Sequence, residues 1–429
     1  MKKKLLALFA LTVTAVAQAG VKIEHWITPS GARVYFAETH ELPIIDVEVD
    51  FSAGSAFDPP GKAGLASLVQ ALLDSGAGDL DEERIAGRLV DIGARMGGSV
   101  ESDRAALTLR TLSDTAEKDA ALDLLRLILS NPNFPDAIVA REKARSISAI
   151  EEADTRPDSI AAKRFAAAIY PGHPYGASAT TESMSVVTRD DLLAFYRDNY
   201  SARRSVISII GDLTRGEAER IAQFLTVDLP TGKAETALGE VRLPAAETIK
   251  VDHPASQSHI HIGLPAIRRG DPDYFPLLVG NYSLGGGGFV SRLVKEVREK
   301  RGYAYSVYSY FAPRKLEGPF EIGLQTKRDQ AADALKVVQE VLSGFIKRGP
   351  SEMELAAAKK NLIDGFGLRI DSNAKLLGYL STIGFYGLPL TYLDDFPGKV
   401  AAVTAKDVRE AFDRHVKPEH LVTVVVASD

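Results

Sequence analysis

The chain of 429 residues carries one pattern of segments twice, and this repeat limits the folds that it can adopt. In the first copy, the alternating segment AALTLRTL (105–112) predicts a strand, which a polar break and the helical pattern ALDLLRLILS follow. In the second copy, FEIGLQT (320–326) is followed by a similar polar break and by LKVVQEVLSGF. Each copy then has a proline-containing turn and a further helix. The offset of about 215 residues is that of a duplicated domain rather than of a solenoid.

The order of the segments predicts the fold class. Within each copy the strands come first, beginning at IIDVEVDFSAG and at SHIHIGLPA, and the helices are grouped after them. Clustered strands with grouped helices indicate an α+β fold, and the alternating pattern indicates a mostly antiparallel sheet with helices packed on one face. We therefore predict two homologous tandem α/β-sandwich domains. Their predicted boundaries are 20–228 and 248–429, joined by a linker at 229–247 that is rich in Thr, Gly, Pro and charged residues.

The first 19 residues have the composition of a secretory signal peptide. Three lysines at positions 2–4 precede an apolar run, which ends at an A-x-A sequence at 17–19. The apolar run is too short for a stable membrane anchor, so no membrane span is expected after cleavage. The chain contains no cysteine, which suits the bacterial periplasm because stray thiols there risk unwanted pairing. Residues 1–19 are therefore predicted to direct export to the periplasm.

Several classes of function are disfavoured. Loss of the three leader lysines takes the formal net charge from −6 to −9, which makes the chain a poor candidate for binding nucleic acid. Gly285 to Gly288 precede a helical pattern, but no Gly-Lys-Ser/Thr follows, so a tight turn is expected rather than a phosphate cradle. The eight histidines form no H-x-x-E-H, H-E-x-x-H or H-x-x-x-H sequence. His259 and His261 alternate on a predicted strand and are expected to be structural or at the surface.

One segment has the shape of a metal-binding helix without the ligands. GKAGLASLVQALLDSG (61–76) predicts a helix with one apolar stripe. Its opposite face holds Ser67, Gln70 and Ala71, at the spacing with which a metallopeptidase places zinc ligands and a base. The repeat offset pairs this helix with a predicted helix near 289–300, which is reached through LGGGGF. The residues alone are compatible with an ordinary core helix or with an emptied active site.

The segment LGGGGFVSRLVKEVREKRGYAYSVYSYF (284–311) resembles the second-domain signature of the pitrilysin/insulinase family of zinc metallopeptidases, the H-x-x-E-H inverzincins. The duplicated layout, the linker and the 61–76 segment resemble the same family, over essentially the whole mature chain. The resemblance implies a clam-shell arrangement of the two domains. It also implies that the 61–76 helix is an emptied zinc helix rather than a generic core segment.

In the family's zinc helix, two histidines bind zinc and a glutamate activates water. This chain has Ser67 and Ala71 where the resemblance places the histidines, and Gln70 where it places the glutamate. A glutamine cannot accept a proton at neutral pH, and alanine has no ligand atom. The family's third ligand, also a glutamate, corresponds to Ala149, although Glu151 and Glu152 lie close by. The resemblance thus implies that this chain binds no metal.

A second family feature is kept. Members of the family carry an arginine and a tyrosine, seven residues apart, that reach from the second domain to the substrate carbonyl at the zinc site. Arg298 and Tyr305 match this pattern, with the glycine-rich loop Gly285, Gly286, Gly287 and Gly288 upstream as a predicted substrate-binding segment. A cationic fork and a phenolic donor can stabilise a developing oxyanion. Sequence patterning alone would make Arg298 a surface helix residue and Tyr305 a strand aromatic.

Some bacterial members of the family resemble pairs of complementary subunits, one with the zinc helix and one with the Arg/Tyr pair. The main hypothesis is a periplasmic, non-zinc-binding subunit that donates Arg298 and Tyr305 to an H-x-x-E-H partner, which holds the zinc and cleaves peptides. The alternative is a structural or peptide-binding scaffold without a part in proteolysis. A third hypothesis, a hydrolase that acts alone, is disfavoured because the zinc ligands and the base are missing.

Overall fold

The structure is a computed structural model that describes residues 22–427, so the predicted signal peptide lies outside the described residues. The strands of the first half are β1 (Glu24–Ile27), β2 (Arg33–Glu38), β3 (Ile44–Phe51), β4 (Gly76–Ala77), β5 (Leu80–Asp81), β6 (Arg95–Val100), β7 (Ala105–Leu112) and β8 (Ser205–Gly211). Its helices are α1 (Leu65–Leu72), α2 (Glu82–Asp91), α3 (Thr115–Ser130), α4 (Asp136–Ala153), α5 (Pro157–Ile169), α6 (Thr181–Ser185), α7 (Arg189–Asn199) and α8 (Arg215–Thr226).

The second half begins after a segment without helix or strand. Its strands are β9 (Glu247–Val251), β10 (Gln257–Ile267), β11 (Ala304–Phe311), β12 (Gly318–Lys327) and β13 (Val422–Val426). Its helices are α9 (Tyr274–Asn281), α10 (Ala331–Arg348), α11 (Glu352–Asp364), α12 (Asn373–Tyr386), α13 (Tyr392–Ala402) and α14 (Ala405–His415). Two π-helical turns, Tyr282–Gly286 and Val294–Glu299, lie between α9 and β11. None of the helices formed by the described residues combines the length and apolarity needed to cross a bilayer.

The two halves have the same sheet topology. The first sheet has the order β1-β2-β8-β3-β7-β6, and the second has the order β11-β12-β10-β13-β9. Read from β9, the second order repeats the first from β2 onwards, because β9, β13, β10, β12 and β11 take the places of β2, β8, β3, β7 and β6. Among the described strands, β2 and β8 pair in parallel, as do β9 and β13, and the other neighbours are antiparallel. The predicted duplication and mostly antiparallel sheets are confirmed.

The alternating sequence of β3 divides its residues between two environments. Ile45, Val47, Val49 and Phe51 are buried in the core between the first sheet and its own helices. Asp46, Glu48 and Asp50 point to the opposite face, because successive side chains of a strand alternate. Several helices that cover the sheets start at reciprocal capping boxes, as α8 does at Thr214 and Glu217. The boundaries 20–228, 229–247 and 248–429 remain predictions.

The halves exchange one helix each across their interface, which the sequence analysis did not anticipate. Helix α5 of the first half packs on β10 and β13 of the second sheet. Phe165 of α5 is buried and lies with its ring centroid 5.6 Å from that of His261. At the crossing point, a Cβ on Gly263 would come within 2.9 Å of the Phe165 ring, so β10 needs a glycine there.

Helix α12 makes the reverse contact, since it packs on β8, β3 and β2 of the first sheet. A Cβ on Gly384 would come within 2.6 Å of the Tyr35 ring, so a glycine allows α12 to lie close to the sheet. The Gly384 carbonyl accepts a hydrogen bond from Arg33 at 3.1 Å. Each sheet therefore has its own helices on one face and a helix of the other half on the opposite face.

Buried carboxylates join the halves beside these helices. Asp50 accepts hydrogen bonds from Ser381 of α12 at 2.7 Å and from Arg104 at 3.0 Å. Asp103 accepts from the Tyr386 hydroxyl at 3.0 Å, from the Lys315 backbone N–H at 2.8 Å, and from the Tyr175 hydroxyl. Ser381, Tyr386 and Lys315 all belong to the second half. Asp50 and Asp103 therefore each connect the first half to the second.

The predicted helix near 289–300 is present over residues 292–299, but its pairing with α1 is wrong. By element order, α9 is the counterpart of α1, because each is the first α-helix after the corresponding strand β10 or β3. Residues 288–290 form a 3₁₀ turn, and the Val294–Glu299 turn is π-helical. The helix therefore begins at residue 292 rather than near 289, and most of it is π-helical rather than α-helical.

If the exchanged helices hold the halves together, Phe165→Ala will destabilise the chain by about 3–5 kcal/mol, because a large buried aromatic leaves a cavity. Urea unfolding followed by circular dichroism measures the effect. Arg164→Ala, an exposed position on the same helix, is the matched control. Equal unfolding midpoints for both variants would contradict the role of α5.

The interface also predicts a pH dependence. Burial raises the pKa of Asp50 to about 7, with Glu48 adding to the rise and Arg104 and Ser381 opposing it. Between about pH 4 and pH 7 the folded chain holds a proton at Asp50 that the unfolded chain has lost, so this stabilising contribution falls as pH rises. Relative to Asp50→Asn, the wild type should therefore lose roughly 1–3 kcal/mol of stability between pH 5 and pH 8.

Urea unfolding of both proteins at the two pH values measures that difference. Glu41→Gln, an exposed position of the same half, should leave the pH profile of the wild type unchanged. The prediction would be contradicted if the free energy of unfolding of the wild type rose with pH relative to that of Asp50→Asn.

Candidate functional site

Helix α1 carries three of the positions at which the sequence analysis places a degenerate zinc site. Ser67 and Ala71 are exposed and Gln70 is half-buried, on the face opposite the buried apolar stripe. Because these positions are spaced i, i+3 and i+4, they share one face of the helix. The Gln70 carboxamide lies directly against Gly98 of β6, where an added Cβ would overlap it. This face offers a hydroxyl, a carboxamide and a methyl group, and none of them belongs to the usual zinc ligands.

The start of α1 is fixed by the half-buried carboxyl group of Asp58. Asp58 accepts hydrogen bonds from the backbone N–H groups of Gly64 and Ala66, both at 2.7 Å. Burial raises the pKa of Asp58 to about 6, and the two backbone hydrogen bonds lower it. Gly64 has a φ of 101°, which a glycine adopts without strain. Protein groups alone therefore hold the start of this helix in place.

The fourth predicted position, Ala149, lies on α4, which packs against α1. Ala149 is exposed, as are Glu151 and Glu152 near the C-terminal end of the same helix. The four positions therefore lie on two helices in contact, and two of those positions carry alanine.

Among residues 22–427, a group of acidic and histidine side chains close enough to share a cation occurs at Asp271, Asp273 and His415, in the second half. Arg414 already donates to both Asp273 oxygens at 2.7 Å. His415 contacts two acceptors, the Ala266 carbonyl at 2.8 Å and Asp273 at 2.9 Å. Both ring nitrogens are thus already engaged with oxygen atoms of the protein. The group is an ion-pair cluster rather than a metal site.

Arg298 and Tyr305 lie together in the structure. Arg298 is on the π-helical turn Val294–Glu299, and its guanidinium carbon lies 4.9 Å from the centre of the Tyr305 ring. Tyr305 stands where the register between β11 and β12 shifts, between Ala304 and Ser306. Such a bulge turns a side chain away from the sheet, and the Tyr305 side chain is 84% exposed. π-Helical turns and bulges are frequent at functional sites.

The guanidinium of Arg298 also lies 4.9 Å from the centre of the Phe289 ring, so it is held between two aromatic rings. Within the described part of the chain, no carboxylate or carbonyl accepts a hydrogen bond from Arg298. Guanidinium stacking on aromatic rings leaves its N–H donors free in the ring plane. A half-buried cation with unused donors on an exposed surface is an anion-binding group.

A half-buried ion pair anchors the segment that carries Arg298. Arg292 donates to both oxygens of Glu354 at 2.7 Å and to the Gly349 carbonyl at 2.9 Å. Glu354 also caps α11 through Ser351. The Arg292 guanidinium holds the pKa of Glu354 at about 2, aided by the Ser351 hydrogen bonds and opposed by burial. This pair is therefore charged throughout the neutral range and fixes the start of the Arg298 segment.

At most positions of the glycine-rich loop, a glycine is needed because neighbouring atoms leave no room for a side chain. A Cβ on Gly285 would meet Leu293 at 2.8 Å, and a Cβ on Gly287 would meet the Tyr282 ring at 2.8 Å. Gly286 is similarly close to Asn281, whereas Gly288 has open space and a φ of 59°. The loop thus allows a close turn that presents Phe289 next to Arg298. Whether the glycines themselves contact a substrate remains a prediction.

The strand β11 continues the exposed surface beyond Tyr305. Tyr308 and Tyr310 stack on one face of β11, with ring centroids 6.0 Å apart. The Tyr310 hydroxyl donates to Glu321 at 2.6 Å, and His261 contacts the other oxygen of Glu321 at 2.7 Å. His261 thus belongs to the interface between the halves, through Glu321 and Phe165.

Two residues of this site escaped the sequence analysis. Phe289 completes the aromatic clamp on Arg298, and Arg292 anchors the segment, as described above. The capping sequence Ser351-x-x-Glu354 is visible in the chain, but its pairing with a distant arginine is not. The exposure of Phe289, at 65%, also has no sequence signal, because apolar residues in such a pattern are usually buried.

Comparison with known proteins identifies the same fold over both halves. The sequence matches the insulinase family (peptidase family M16) over residues 33–182 and the peptidase M16 inactive domain over residues 187–362. A crystal structure of a peptidase M16 inactive domain from Pseudomonas fluorescens is 36% identical, with a TM-score of 0.90, and covers 94% of this chain and 97% of that one.

Two further relatives have lower identity. The non-peptidase homolog YmxG of Helicobacter pylori is 24% identical over 430 residues, which is 99% of each chain. The periplasmic protease PqqL of Escherichia coli has a TM-score of 0.81 at 18% identity, and the match covers 100% of this chain and 49% of that protein.

The predicted pitrilysin/insulinase resemblance and the fold class, with two clam-shell halves, are confirmed. This chain belongs to the insulinase family, peptidase family M16.

Proposed function

We propose that this chain is the non-zinc-binding subunit of a periplasmic heterodimeric zinc metallopeptidase. The partner subunit would carry the H-x-x-E-H helix and the zinc ion, and this chain would donate Arg298 and Tyr305 to the partner's active site. The observation that carries the proposal is an exposed Arg298 and Tyr305 pair without an acceptor, in a chain whose α1 and α4 positions lack zinc ligands.

The chemistry of the pair suits this role. During peptide hydrolysis the substrate carbonyl oxygen becomes negatively charged, and preorganised donors aimed at that oxygen accelerate the reaction. The contacts of the Arg298 guanidinium with the Phe289 and Tyr305 rings restrict its position before a substrate arrives. The Tyr305 hydroxyl adds a second donor near the same place. Both groups work equally well if the carbonyl is presented by another subunit.

Localisation and substrate class also belong to the proposal. The predicted signal peptide at 1–19 and the absence of cysteine support a periplasmic location, and PqqL, a structural neighbour, is named a periplasmic protease. Unfolded peptides, bound in an extended form along a sheet edge and selected by chamber size, are the expected substrates. Neither nucleic acid nor a membrane anchor has a part in this proposal, and zinc is expected in the partner only.

The second candidate function is a scaffold or peptide-binding protein of the same fold without a part in proteolysis. The names of two relatives, a non-peptidase homolog and an inactive domain, favour it. A scaffold has no chemical need for an unpaired Arg298 clamped between two aromatic rings, and this favours the donor role. The two candidates differ in what happens when that arginine is removed.

Arg298→Ala should lower the kcat of the reconstituted complex roughly 10²–10³-fold, as expected for the loss of an oxyanion donor. Tyr305→Phe, which keeps the ring beneath the guanidinium and removes the hydroxyl, should cause a smaller loss. Steady-state cleavage of a fluorogenic peptide by the complex measures both. Lys295→Ala, an exposed cation on the same segment, is the matched control and should leave kcat unchanged.

If Arg298→Ala has the kcat of the wild type while the complex still forms, the scaffold role is favoured. An equal fall in all three variants would indicate that the segment is disturbed as a whole, and would also contradict a specific role of Arg298.

Metal content tests the degenerate zinc positions separately. The purified mature chain should retain no stoichiometric zinc, because Ser67, Gln70, Ala71 and Ala149 supply no suitable ligands. A variant with Ser67→His, Gln70→Glu, Ala71→His and Ala149→Glu should bind about one zinc ion, and the same variant without Ala149→Glu should bind it more weakly. Atomic emission after dialysis measures the content. Stoichiometric zinc in the wild type would favour a hydrolase that acts alone.

A further inference from the structure

A cavity of about 340 Å³ lies in the second half, between the turn that joins β10 to α9 and the turn that joins α12 to α13. Its volume is at the lower end of the range for small-molecule sites. The lining includes the aromatic residues Tyr274, Phe275 and Tyr392, together with the charged residues Arg269 and Lys399. None of these residues belongs to the proposed catalytic surface at Arg298.

The aromatic lining is already organised. The ring centroids of Tyr274 and Phe275 are 5.3 Å apart, and those of Phe275 and Tyr392 are 6.3 Å apart. Tyr392 is buried in the second core, and Tyr274 and Phe275 pack against the same core. A ligand would therefore meet a fixed apolar wall, which contributes binding energy without the cost of ordering side chains.

Arg269 provides an unused set of hydrogen-bond donors in this cavity. Its guanidinium carbon lies 5.4 Å from the centre of the Tyr386 ring. Its Nε is buried and has no hydrogen-bond partner. Within residues 22–427, no carboxylate forms an ion pair with Arg269. A half-buried guanidinium without an acceptor is costly, so an anion that reaches it from the cavity would bind favourably.

The other charged residues around the cavity already have polar partners within the protein. Lys399 lies at the rim, 3.7 Å from Asp395 and 5.5 Å from the centre of the Phe275 ring. Asp271 also lines the cavity, and it accepts the backbone N–H of Asp273 at 2.8 Å. One carboxylate oxygen of Asp271 is also 3.9 Å from Nε2 of His415. Arg269 therefore remains the cation in this group without a counter-charge of its own.

We propose that this cavity binds a carboxylate that carries an aromatic or branched apolar group. The carboxylate pairs with the Arg269 guanidinium, for which a two-oxygen acceptor is the matching partner. The apolar group packs on Tyr274, Phe275 and Tyr392. A free aromatic acid and the C-terminal residue of a peptide share this chemistry. The site is independent of the role proposed for Arg298.

Isothermal titration of the mature chain tests the proposal with 3-phenylpropanoate and its uncharged analogue 3-phenylpropanamide. The acid should bind saturably, and the amide should bind roughly 10–100-fold more weakly, as expected for the loss of a charged hydrogen bond. A tripeptide ending in phenylalanine and its C-terminal amide form a second pair of probes. Tighter binding of the tripeptide than of the small acid identifies a peptide terminus as the ligand, and the reverse order identifies a free acid.

Arg269→Gln should weaken binding of the acid roughly 10–100-fold, because it removes the charge and the forked donors. Arg268→Gln, the exposed neighbour outside the cavity, is the matched control and should bind as the wild type does. Should Arg269→Gln fail to fold, Arg269→Lys keeps the charge and loses the two-donor geometry, so a weaker acid affinity is still expected.

Two results would overturn the proposal. The first is no saturable binding of either acid by the wild type, and the second is equal affinity of the wild type and the folded Arg269 variant. A crystal structure with 3-phenylpropanoate gives the position directly, and a carboxylate bound away from Arg269 would also overturn it. Activity of the reconstituted peptidase is not a readout in any of these tests, so their outcome is separate from that of the Arg298 experiments.

Discussion

The exchange of α5 and α12 between the two halves fixes how the two sheets lie relative to each other. Each sheet buries one face under its own helices and receives one helix of the other half on the opposite face. Close contact at Gly263 and Gly384 makes the packing tight, and the buried carboxylates of Asp50 and Asp103 add directional contacts beside it. Apolar burial supplies most of the stabilisation, while the carboxylates specify one alignment of the sheets.

Within this frame the two halves have opposite chemical properties. The first half keeps α1, the helix that the family resemblance predicts to be an emptied zinc helix. Asp58 anchors its start and Gln70 packs against β6, and the predicted ligand positions Ser67 and Ala71 carry no usual zinc ligand. In the second half, the Arg298 guanidinium contacts the rings of Phe289 and Tyr305. The ion pair of Arg292 and Glu354 anchors the start of the segment that carries Arg298. The helix needs no zinc for its stability, because its buried apolar stripe contributes to the core of the first half.

The periodicity of the sequence predicts much of the fold, but it predicts less of the candidate site. The alternation at 105–112 and the repeat offset predict the strands and the duplication, because local pattern and sheet topology agree in both halves. The exchange of α5 and α12 was not predictable, since helix periodicity shows which face is apolar but not which sheet covers it. The helix expected near 289–300 is present over 292–299, but α9 rather than this helix is the counterpart of α1, which the repeat offset alone did not show. Arg298 and Tyr305 were found through a family resemblance, whereas Phe289 and Arg292 act through contacts that only the folded chain brings together.

The most direct test of the account is a structure of the complex purified from the native periplasm with a bound peptide. The measured quantity is the distance from the Arg298 guanidinium to the substrate carbonyl oxygen on the partner's zinc. The account predicts a partner with an H-x-x-E-H helix and a distance of about 3 Å, within hydrogen-bonding range. A complex in which Arg298 lies far from any zinc, or a chain that is recovered without a zinc-bearing partner, would contradict it.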